Sequence, residues 1–272
     1  MLLRATCLLL ATPSSWKSRP ASRTPPPAAA SSPAAPRHVA LIPDGNARWA
    51  AREGRPASDG HWAGVAALRA VVEACATHPA IETLTVYAFS AENWQRPERE
   101  TRWIFELVRQ VVVDEGERLR EGGVSLRFIG EHERLPLELR ETLSSCAKLG
   151  PIKGEQRLLL CVALSYGGRQ EIARVARQLA VQVAAGELRP SDIDEAGFGE
   201  ALSSSPYSTP SDPDLLVRTG GQQRLSNFLL FQVAYTELYV TDVLWPDFTV
   251  VNFEQALHDY AHRKRTFGKR IP

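Results

Sequence analysis

Cysteine is scarce in this sequence, and its few copies carry no zinc-binding pattern. The four cysteines form no CxxC pair and have no histidine at the spacing of a zinc ligand. Cys75 and Cys161 lie in apolar sequence, so we predict buried thiols at these two positions. A zinc site made of closely spaced cysteines is therefore excluded.

Several other common signals are also missing. The chain has no GxxxxGK[ST] motif and no GxGxxG motif after a strand, so it lacks the usual nucleotide-binding patterns. A net charge of +1 gives no reason to expect a nucleic-acid partner. No apolar run is long enough to cross a bilayer. The remaining composition, 44% hydrophobic and 23% charged over 272 residues, is typical of a globular protein.

Acidic residues are absent before Asp44. Residues 1–36 are instead rich in alanine, serine and proline, with basic residues between them. This composition predicts a disordered transit peptide over residues 1–36, directed to a chloroplast or other plastid, with the mitochondrion as the alternative. A secretory signal and a tail without function are the competing interpretations.

Beyond residue 36, apolar strand-like segments alternate with helix-like segments. The pattern predicts strands at 39–42, 83–89, 124–129, 158–164, 214–218 and 237–241. It predicts helices at 49–52, 64–76, 98–121, 136–148, 169–185 and 253–265. This alternation indicates an α/β fold in which a central, mostly parallel six-stranded sheet is flanked by helices, in a single domain over residues 37–272. Ligands of such sheets bind at the carboxyl ends of the strands.

Two polar segments follow the first two predicted strands. Residues 44–48 combine a carboxylate, a glycine and a cation at the start of a helix. An Mg²⁺ ion between Asp44 and a phosphate would explain this combination, and a solvated turn with Asp44 as the helix N-cap explains it equally well. Residues 89–97 place Ser90, Asn93 and Arg96 in one loop. The arginine suits a diphosphate, whereas a capped helix start accounts for the proline that ends the loop.

Two further segments carry candidate binding groups. In residues 216–227, Arg218, Arg224 and Ser226 could together hold a diphosphate, and two adjacent glycines allow a close backbone approach. Glu237 is a lone acid between apolar residues, and a buried acid needs a partner or a metal. An exposed position on an edge strand is the alternative interpretation.

Together these segments resemble the cis-prenyltransferases, the family of undecaprenyl diphosphate synthase. The resemblance rests on HVALIPDGNARWA, YAFSAENWQRP, LSYGG and RTGGQQRLSNFLL followed by AYTELYVTDVLWPDF, and it covers about residues 37–268. It implies an undecaprenyl diphosphate synthase-like fold with an apolar product tunnel, usually in a homodimer. It also implies that isopentenyl diphosphate is condensed with an allylic primer (geranyl, farnesyl or geranylgeranyl diphosphate). The implied product is a Z-polyprenyl diphosphate, with Mg²⁺ as the cofactor and peripheral membrane contact through the lipid product.

The resemblance also assigns roles by position. Asp44 is the essential acid that engages Mg²⁺ and the allylic diphosphate, Asn93 is the position of proton abstraction, and Glu237 helps to place the metal. The implied substrate-binding residues are Gly45, Asn46, Ala47, Arg48, Trp49 and His61 at the allylic diphosphate, Ser90, Ala91, Glu92, Trp94 and Arg96 in the loop between the substrates, and Arg218, Arg224, Leu225 and Ser226 at the isopentenyl diphosphate.

The implied tunnel needs apolar side chains. The helix predicted at 98–121 and the neighbouring strands offer Ile104, Leu107, Val108, Val111, Val112, Ala88, Leu158 and Leu160. An ordinary helix core is the simpler interpretation of most of this set.

The sequence departs from the family pattern at four positions. Ala57 stands where the family usually has an arginine that contacts a diphosphate. Gln222 replaces a glutamate, Gln223 replaces a metal-binding histidine of many bacterial members, and Pro43 replaces a methionine. We expect activity with weaker affinity for the allylic substrate.

A non-catalytic or partner-dependent subunit is the rival interpretation. Such subunits generally lose the acid and the loop asparagine, whereas this chain keeps Asp44 and Asn93. A trans-type prenyltransferase is excluded because the chain has no DDxxD motif.

Overall fold

A six-stranded parallel sheet lies at the centre of the fold. The computed structural model describes residues 35–152, 156–205 and 208–265, so the predicted transit peptide falls almost entirely outside the described residues. The strands are β1 (His38–Ile42), β2 (Thr83–Ser90), β3 (Val124–Ile129), β4 (Leu158–Tyr166), β5 (Leu215–Arg218) and β6 (Glu237–Val240). Their order is β3-β4-β2-β1-β5-β6, and every neighbouring pair is parallel. The predicted sheet is therefore confirmed.

Helices cover the sheet. In the described part of the chain they are α1 (Asn46–Arg52), α2 (Ala57–Thr77), α3 (Glu98–Glu121), α4 (Leu137–Ala147), α5 (Gly168–Ala184), α6 (Glu195–Ser204) and α7 (Val250–Ala261). Helix α2 begins seven residues earlier than its sequence pattern predicts, and α6 was not predicted at all. None of the helices in the described ranges is long and apolar enough to span a lipid bilayer.

Both faces of the sheet are buried, which explains why the strands are nearly continuous apolar runs. In β1, Val39 and Leu41 pack into one hydrophobic cluster, while Ala40 and Ile42 pack into another. The first cluster includes apolar side chains of α2, α3, α4 and α7. Alternation along one strand therefore supplies both layers of the core.

The described cysteines agree with the sequence prediction. Cys75 and Cys161 are fully buried and are free thiols. Burial raises the pKa of Cys161 to about 11, so this thiol stays protonated and unreactive near neutral pH.

The parallel order brings several strand ends to one edge of the sheet. Because β2, β1 and β5 are adjacent and run in the same direction, the residues that follow them lie next to one another. The chain leaves β1 for β2 on one side, while β5 pairs on the other side. This reversal creates the crevice in which open α/β sheets bind ligands.

Candidate active site

The carboxylate of Asp44 lies between two guanidinium groups. Arg218 Nη2 donates to Asp44 Oδ2 at 2.9 Å, and Arg48 Nη2 donates to Asp44 Oδ1 at 3.1 Å. The Asp44 backbone N–H donates to Thr219 Oγ1 at 2.9 Å, which ties the turn after β1 to the end of β5. The sequence separates Asp44 and Arg218 widely, and the β1–β5 pairing brings them together.

Gly220 allows this close contact between the two turns. Its φ of 78° lies in the left-handed region. A Cβ at this position would lie 2.3 Å from Arg48 Nη2 and 2.9 Å from the Asp44 backbone oxygen. Arg48 Nη1 donates to the Gly220 carbonyl at 2.7 Å. A side chain at residue 220 would therefore displace the guanidinium that contacts Asp44.

Arg218 is the most deeply buried charged side chain of the site, with 5% of its side chain exposed. Its Nη1 donates to Ser226 Oγ at 2.9 Å and also contacts the Arg224 carbonyl. Its Nε is buried without a hydrogen-bond partner among the described residues. Asp44 supplies the compensating charge that a buried guanidinium requires.

A short 3-10 turn at Ala91–Gln95 follows β2 and carries the second polar segment. Ser90 and Asn93 cap it reciprocally: the Ser90 N–H donates to Asn93 Oδ1 at 3.0 Å, and the Asn93 N–H donates to Ser90 Oγ at 3.2 Å. The amide oxygen of Asn93 is thereby fixed, and its nitrogen is outside this pair of bonds. Both the capping and the functional interpretations of the segment are compatible with this geometry.

The other members of the turn differ in their surroundings. Trp94 packs between Phe89 and Phe105, and its Nε1 donates to Ser165 Oγ at 2.9 Å. The ring of Trp94 also lies under the guanidinium of Arg134, at 4.5 Å. The geometry of Trp94 is that of an anchor for the turn.

His61 is a neutral histidine at the edge of the site. Burial lowers its pKa, the bond from Nδ1 to the Ala57 carbonyl at 2.8 Å opposes the shift, and the charge of Arg96 lowers it further. Since Nδ1–H donates to that carbonyl, Nε2 is the acceptor nitrogen. The ring of Trp103 packs edge-on against it at 5.5 Å.

A polar pocket of about 330 Å³ collects many of the predicted residues. The predicted residues that line it are Asp44, Asn46, His61, Ser90, Asn93, Arg96, Arg218, Arg224 and Ser226. The predicted residues that do not line it are Gly45, Ala47, Arg48, Trp49, Ala91, Glu92, Trp94, Leu225 and Glu237. Of these, Arg48 contacts Asp44 directly, whereas Trp49 Nε1 donates to Asp247 at 2.7 Å, beside the Arg52–Asp247 ion pair.

An apolar cavity of about 180 Å³ adjoins the polar pocket. The two share Pro43, Asn46, His61, Ala88 and Ile104 in their walls, so they are adjacent. The cavity lies between α2, α3 and the sheet. It includes Leu107, Val108, Val111, Val112 and Leu160 of the stripe singled out from the sequence.

Glu237 is not brought to this site within one chain. It pairs with Leu215 at the amino end of β5, whereas Arg218, at the carboxyl end, pairs with Val240. Three residues of strand correspond to about 10 Å. Glu237 forms an ion pair with Arg263 at 3.1 Å instead. The sheet register therefore places Glu237 at the end of its strand away from Arg218, the ion-pair partner of Asp44.

The structure also adds residues that the sequence prediction missed. Tyr87 lines the polar pocket, and its hydroxyl donates to the carbonyls of Tyr166 and Ser226, each at 3.2 Å. Asn227 Nδ2 donates to Glu92 Oε1 at 2.7 Å. Both residues lie inside the recognised motifs, but only the tertiary contacts distinguish them from ordinary strand and loop positions.

The chain matches the undecaprenyl diphosphate synthase family of prenyltransferases over residues 42–268. The ditrans,polycis-undecaprenyl-diphosphate synthase ((2E,6E)-farnesyl-diphosphate specific) of Xylella fastidiosa is 47% identical over 238 residues, 87% of this chain and 90% of the relative. The enzyme of the same name from Pseudomonas putida is 46% identical over 243 residues, 89% and 94% of the two chains.

A solved structure of another prenyl diphosphate enzyme shares the fold of this chain. Lavandulyl diphosphate synthase from Lavandula x intermedia, in complex with dimethylallyl diphosphate, superposes with a TM-score of 0.79 at 34% identity. The match covers 86% of this chain and 99% of that chain.

The predicted plastid location is wrong. The curated relatives from Xylella fastidiosa and Pseudomonas putida are bacterial enzymes and not plastid proteins. An acid-poor leader rich in serine and proline is a matter of composition, which many unrelated terminal segments share. The family match and the shared fold show that this chain is a prenyltransferase of isoprenoid biosynthesis and belongs to the undecaprenyl diphosphate synthase family of cis-prenyltransferases.

Proposed function

We propose that this chain extends an allylic diphosphate with isopentenyl diphosphate to give a Z-polyprenyl diphosphate. The observation that carries the proposal is that a cationic polar pocket and an apolar cavity lie side by side and share five wall residues. A substrate with a diphosphate head and a growing hydrocarbon tail needs both environments side by side. The bacterial relatives are named as farnesyl-diphosphate specific, so farnesyl diphosphate is the first primer to test, with geranyl and geranylgeranyl diphosphates after it.

The allylic diphosphate is assigned to the turn after β1. Asp44, Asn46 and Arg48 lie there, with His61 beside them. When the allylic C–O bond breaks, negative charge develops on the departing diphosphate. Guanidinium groups fixed beforehand at that position stabilise the charge without reorganising during the reaction.

The isopentenyl diphosphate is assigned to the end of β5. Arg218, Arg224 and Ser226 present two guanidinium groups and a hydroxyl to the polar pocket. The new C–C bond uses the electron pair of the isopentenyl double bond, and the loss of one proton then restores a double bond. Asn93 lines the same pocket as the residues of both assigned subsites and is the proposed position at which that proton is removed. An amide is a weak base, so departing diphosphate oxygen is the chemically plausible final acceptor.

Mg²⁺ fits the oxygen donors of the first subsite. Asp44 offers a carboxylate, and Asn46 Oδ1 is buried without a hydrogen-bond partner among the described residues. No group of three or more histidine, cysteine or acidic residues in the described ranges could hold a metal on its own. Mg²⁺ commonly uses one or two protein oxygens together with phosphate and water. When bound, it would supply positive charge to the allylic diphosphate.

The apolar cavity is the proposed product tunnel. It begins at Ala88 and Ile104, which it shares with the polar pocket, and continues between α2 and α3. Each added isoprene unit would extend the tail away from the diphosphates. Burial of the tail stabilises the intermediate by about 25 cal/mol per Å² of apolar surface.

A homodimer is the proposed assembly. Strand β6 is at one edge of the sheet, and Leu238 and Val240 on it are 48% and 38% exposed. Exposed apolar residues on an edge strand favour association with another chain. Contact with a membrane surface is proposed only through the lipid product.

The test uses the full chain with Mg²⁺, radiolabelled isopentenyl diphosphate and each primer in turn. Products are sized by reverse-phase chromatography. We expect a ladder that ends at one length, and its loss in Asp44→Ala. The control is Asp192→Ala, which removes a surface carboxylate paired with Arg189 and should keep activity.

Absence of incorporation by folded protein with every primer would contradict the proposal. It would favour the partner-dependent subunit, and a pull-down would then be the next experiment.

A further inference from the structure

The motif Tyr166-Gly167-Gly168 at the end of β4 has no role in the function described so far. Its first glycine makes room for two side chains. A Cβ at Gly167 would lie 2.6 Å from Asn227 Nδ2 and 2.2 Å from Gln170 Oε1. A Cβ at Gly168 would lie 2.9 Å from the backbone nitrogen of Leu230. The two glycines therefore allow the loop after β5 to approach the start of α5.

Asn227 uses both ends of its side-chain amide in this contact. Its Oδ1 accepts from the Arg169 backbone N–H at 2.9 Å, which fixes the orientation of the amide. Its Nδ2 donates to Glu92 Oε1 at 2.7 Å and to Gln170 Oε1 at 3.1 Å. The Asn227 carbonyl accepts from the Gly168 N–H at 2.7 Å. Four hydrogen bonds thus hold one residue.

The backbone at this position is strained and is held in place by its surroundings. Ser226 and Asn227 have φ values of 50° and 64°, in the left-handed region that non-glycine residues rarely adopt. The Ser226 carbonyl accepts from the Tyr87 hydroxyl at 3.2 Å. Such conformations persist where neighbouring contacts over-determine them, and they cluster at functional sites.

Asn227 joins two loops that carry different parts of the site. Glu92 lies in the 3-10 turn with Asn93, which lines the polar pocket. Ser226 precedes Asn227 and accepts from Arg218. Since Glu92 is an anion, its bond from Asn227 is charge-assisted and stronger than one between neutral groups.

We propose that Asn227 is a positioning residue that couples the two diphosphate subsites by holding the turn at Ala91–Gln95 against the loop after β5. The inference rests on the proposed function, because it concerns the site described there. Binding of isopentenyl diphosphate to the Arg218 loop then orders the turn that carries Asn93. We call these contacts of Asn227 the brace. The glycines of the Tyr166-Gly167-Gly168 motif leave the space that the brace needs.

The test exchanges donor and acceptor across the Asn227–Glu92 bond. Asn227→Asp keeps the shape and the acceptor for Arg169, but it places a carboxylate against Glu92. Gln170 can rotate its amide to donate, whereas Glu92 cannot donate when ionised. We expect kcat/KM for isopentenyl diphosphate to fall by about tenfold or more. Glu92 does not line the polar pocket. Adding Glu92→Gln therefore supplies a donor to the new Asp without removing a pocket residue, and we expect most of the loss to be recovered.

Asn252→Asp is the matched control. Asn252 Oδ1 accepts from the Thr249 N–H at 2.9 Å at the start of α7, outside the polar pocket, and an aspartate keeps that acceptor. We expect its kcat/KM to equal that of the wild type. All variants are also compared by melting temperature, so that a general loss of stability is recognised.

The outcomes separate the two proposals. If the wild type is active and Asn227→Asp has the same kcat/KM for isopentenyl diphosphate, the brace is overturned. It is also overturned if Asn227→Asp lowers kcat/KM and the added Glu92→Gln does not restore it. An inactive wild type contradicts the proposed function. In that case the rise in melting temperature caused by isopentenyl diphosphate still tests the brace, because Asn227→Asp should reduce this rise and the double variant should restore it. An equal rise in all four proteins overturns the inference.

Discussion

Single residues set the charge of the site. Asp44 contacts the guanidinium groups of Arg48 and Arg218, and Arg96 and Arg224 line the same pocket. Cations outnumber the one carboxylate, as binding of two diphosphates requires. The charge balance of the pocket therefore matches the substrates better than the near-zero net charge of the whole chain does.

Two departures from the family pattern have structural consequences. Ala57 is the first residue of α2 and is exposed, and its carbonyl accepts from His61 Nδ1. Gln222 accepts from the Arg224 side chain. A glutamine keeps this hydrogen bond without neutralising the guanidinium, so the full positive charge of Arg224 remains available to an anion.

Ala57→Arg tests the first departure. An arginine one helical turn before His61 adds a cation near the pocket that His61 lines. We expect the KM for the allylic diphosphate to fall by about threefold to tenfold, which corresponds to one added charge contact. Steady-state kinetics with each substrate varied separately measures the effect.

Ala66→Arg is the control for this prediction. Ala66 is exposed on α2 but does not line either cavity. If both variants lower the KM equally, the gain is a general charge effect, and the account of the missing contact is wrong.

Turns and helices determine the shape of the site. The turn after β5 must pass close to the turn after β1, and Gly220 leaves room for this approach. The apolar cavity lies between α2, α3 and the sheet, and a small residue, Ala88, lines both it and the polar pocket. Each of these element-scale features gives a prediction.

Gly220→Ala should impair activity more than stability. The new methyl group displaces Arg48 from Asp44, and the residue must also keep a φ of 78°. We expect kcat/KM for the allylic diphosphate to fall by more than about tenfold, the effect of losing a preorganised charge contact. Unfolding in urea should show a loss of about 1–2 kcal/mol.

Gly54→Ala separates the steric effect from backbone strain. Gly54 has a φ of 65°, and a Cβ there would meet nothing within 4 Å. It should lose about 1 kcal/mol of stability and keep wild-type kinetics. Equal kinetic losses in the two variants would contradict the steric explanation.

Ala88→Phe should shorten the product. The added ring would occupy the passage between the polar pocket and the apolar cavity, where Ala88 lines both. Reverse-phase sizing should show fewer added units with farnesyl diphosphate than the wild type gives. Ala180→Phe, on the exposed face of α5, should leave the product unchanged. An unaltered ladder from Ala88→Phe would mean that the tail takes another route.

At the scale of the whole molecule, a buried histidine far from the pocket makes the stability of the fold depend on pH. His38 is 2% exposed, with Nε2 2.8 Å from Thr85 Oγ1 and Nδ1 3.1 Å from Ser211 Oγ. Burial lowers its pKa from 6.5 to about 4, although Asp214 opposes the shift. As the pH falls from 6.5 to 4, the unfolded chain takes up this proton before the folded chain does, so stability decreases.

This lowered pKa predicts that the free energy of unfolding changes measurably with pH. The free energy of unfolding should fall by about 3 kcal/mol between pH 6.5 and pH 4 on account of His38 alone. His38→Gln removes the titrating group. The free energy of unfolding of the wild type, measured relative to that of the variant, should therefore decrease as the pH falls from 6.5 to 4. Urea unfolding at several pH values measures it. A difference that does not change with pH would show that His38 is not the titrating group.

Local sequence predicted most elements but not all. Helix α3 and strand β3 have the predicted bounds, because a long amphipathic pattern and an apolar run are encoded by neighbouring residues. Helix α2 begins earlier than predicted and includes Gly60, which packs closely against α1: a Cβ there would lie 2.1 Å from the Asn46 carbonyl oxygen. Helix α6 contains two glycines, and its stability comes from packing such as that of buried Leu202.

By itself the sequence determined the order of the strands and of most helices, the parallel sheet and the polar residues that follow the strands, since these depend on nearby residues. Only the tertiary structure decided which of those residues meet. It brought Asp44 to Arg218 and Asn227 to Glu92, and it left Glu237 at the opposite end of its strand. The physical reason is strand register: pairing between distant segments fixes which side chains lie at the same height, and no local pattern specifies that height.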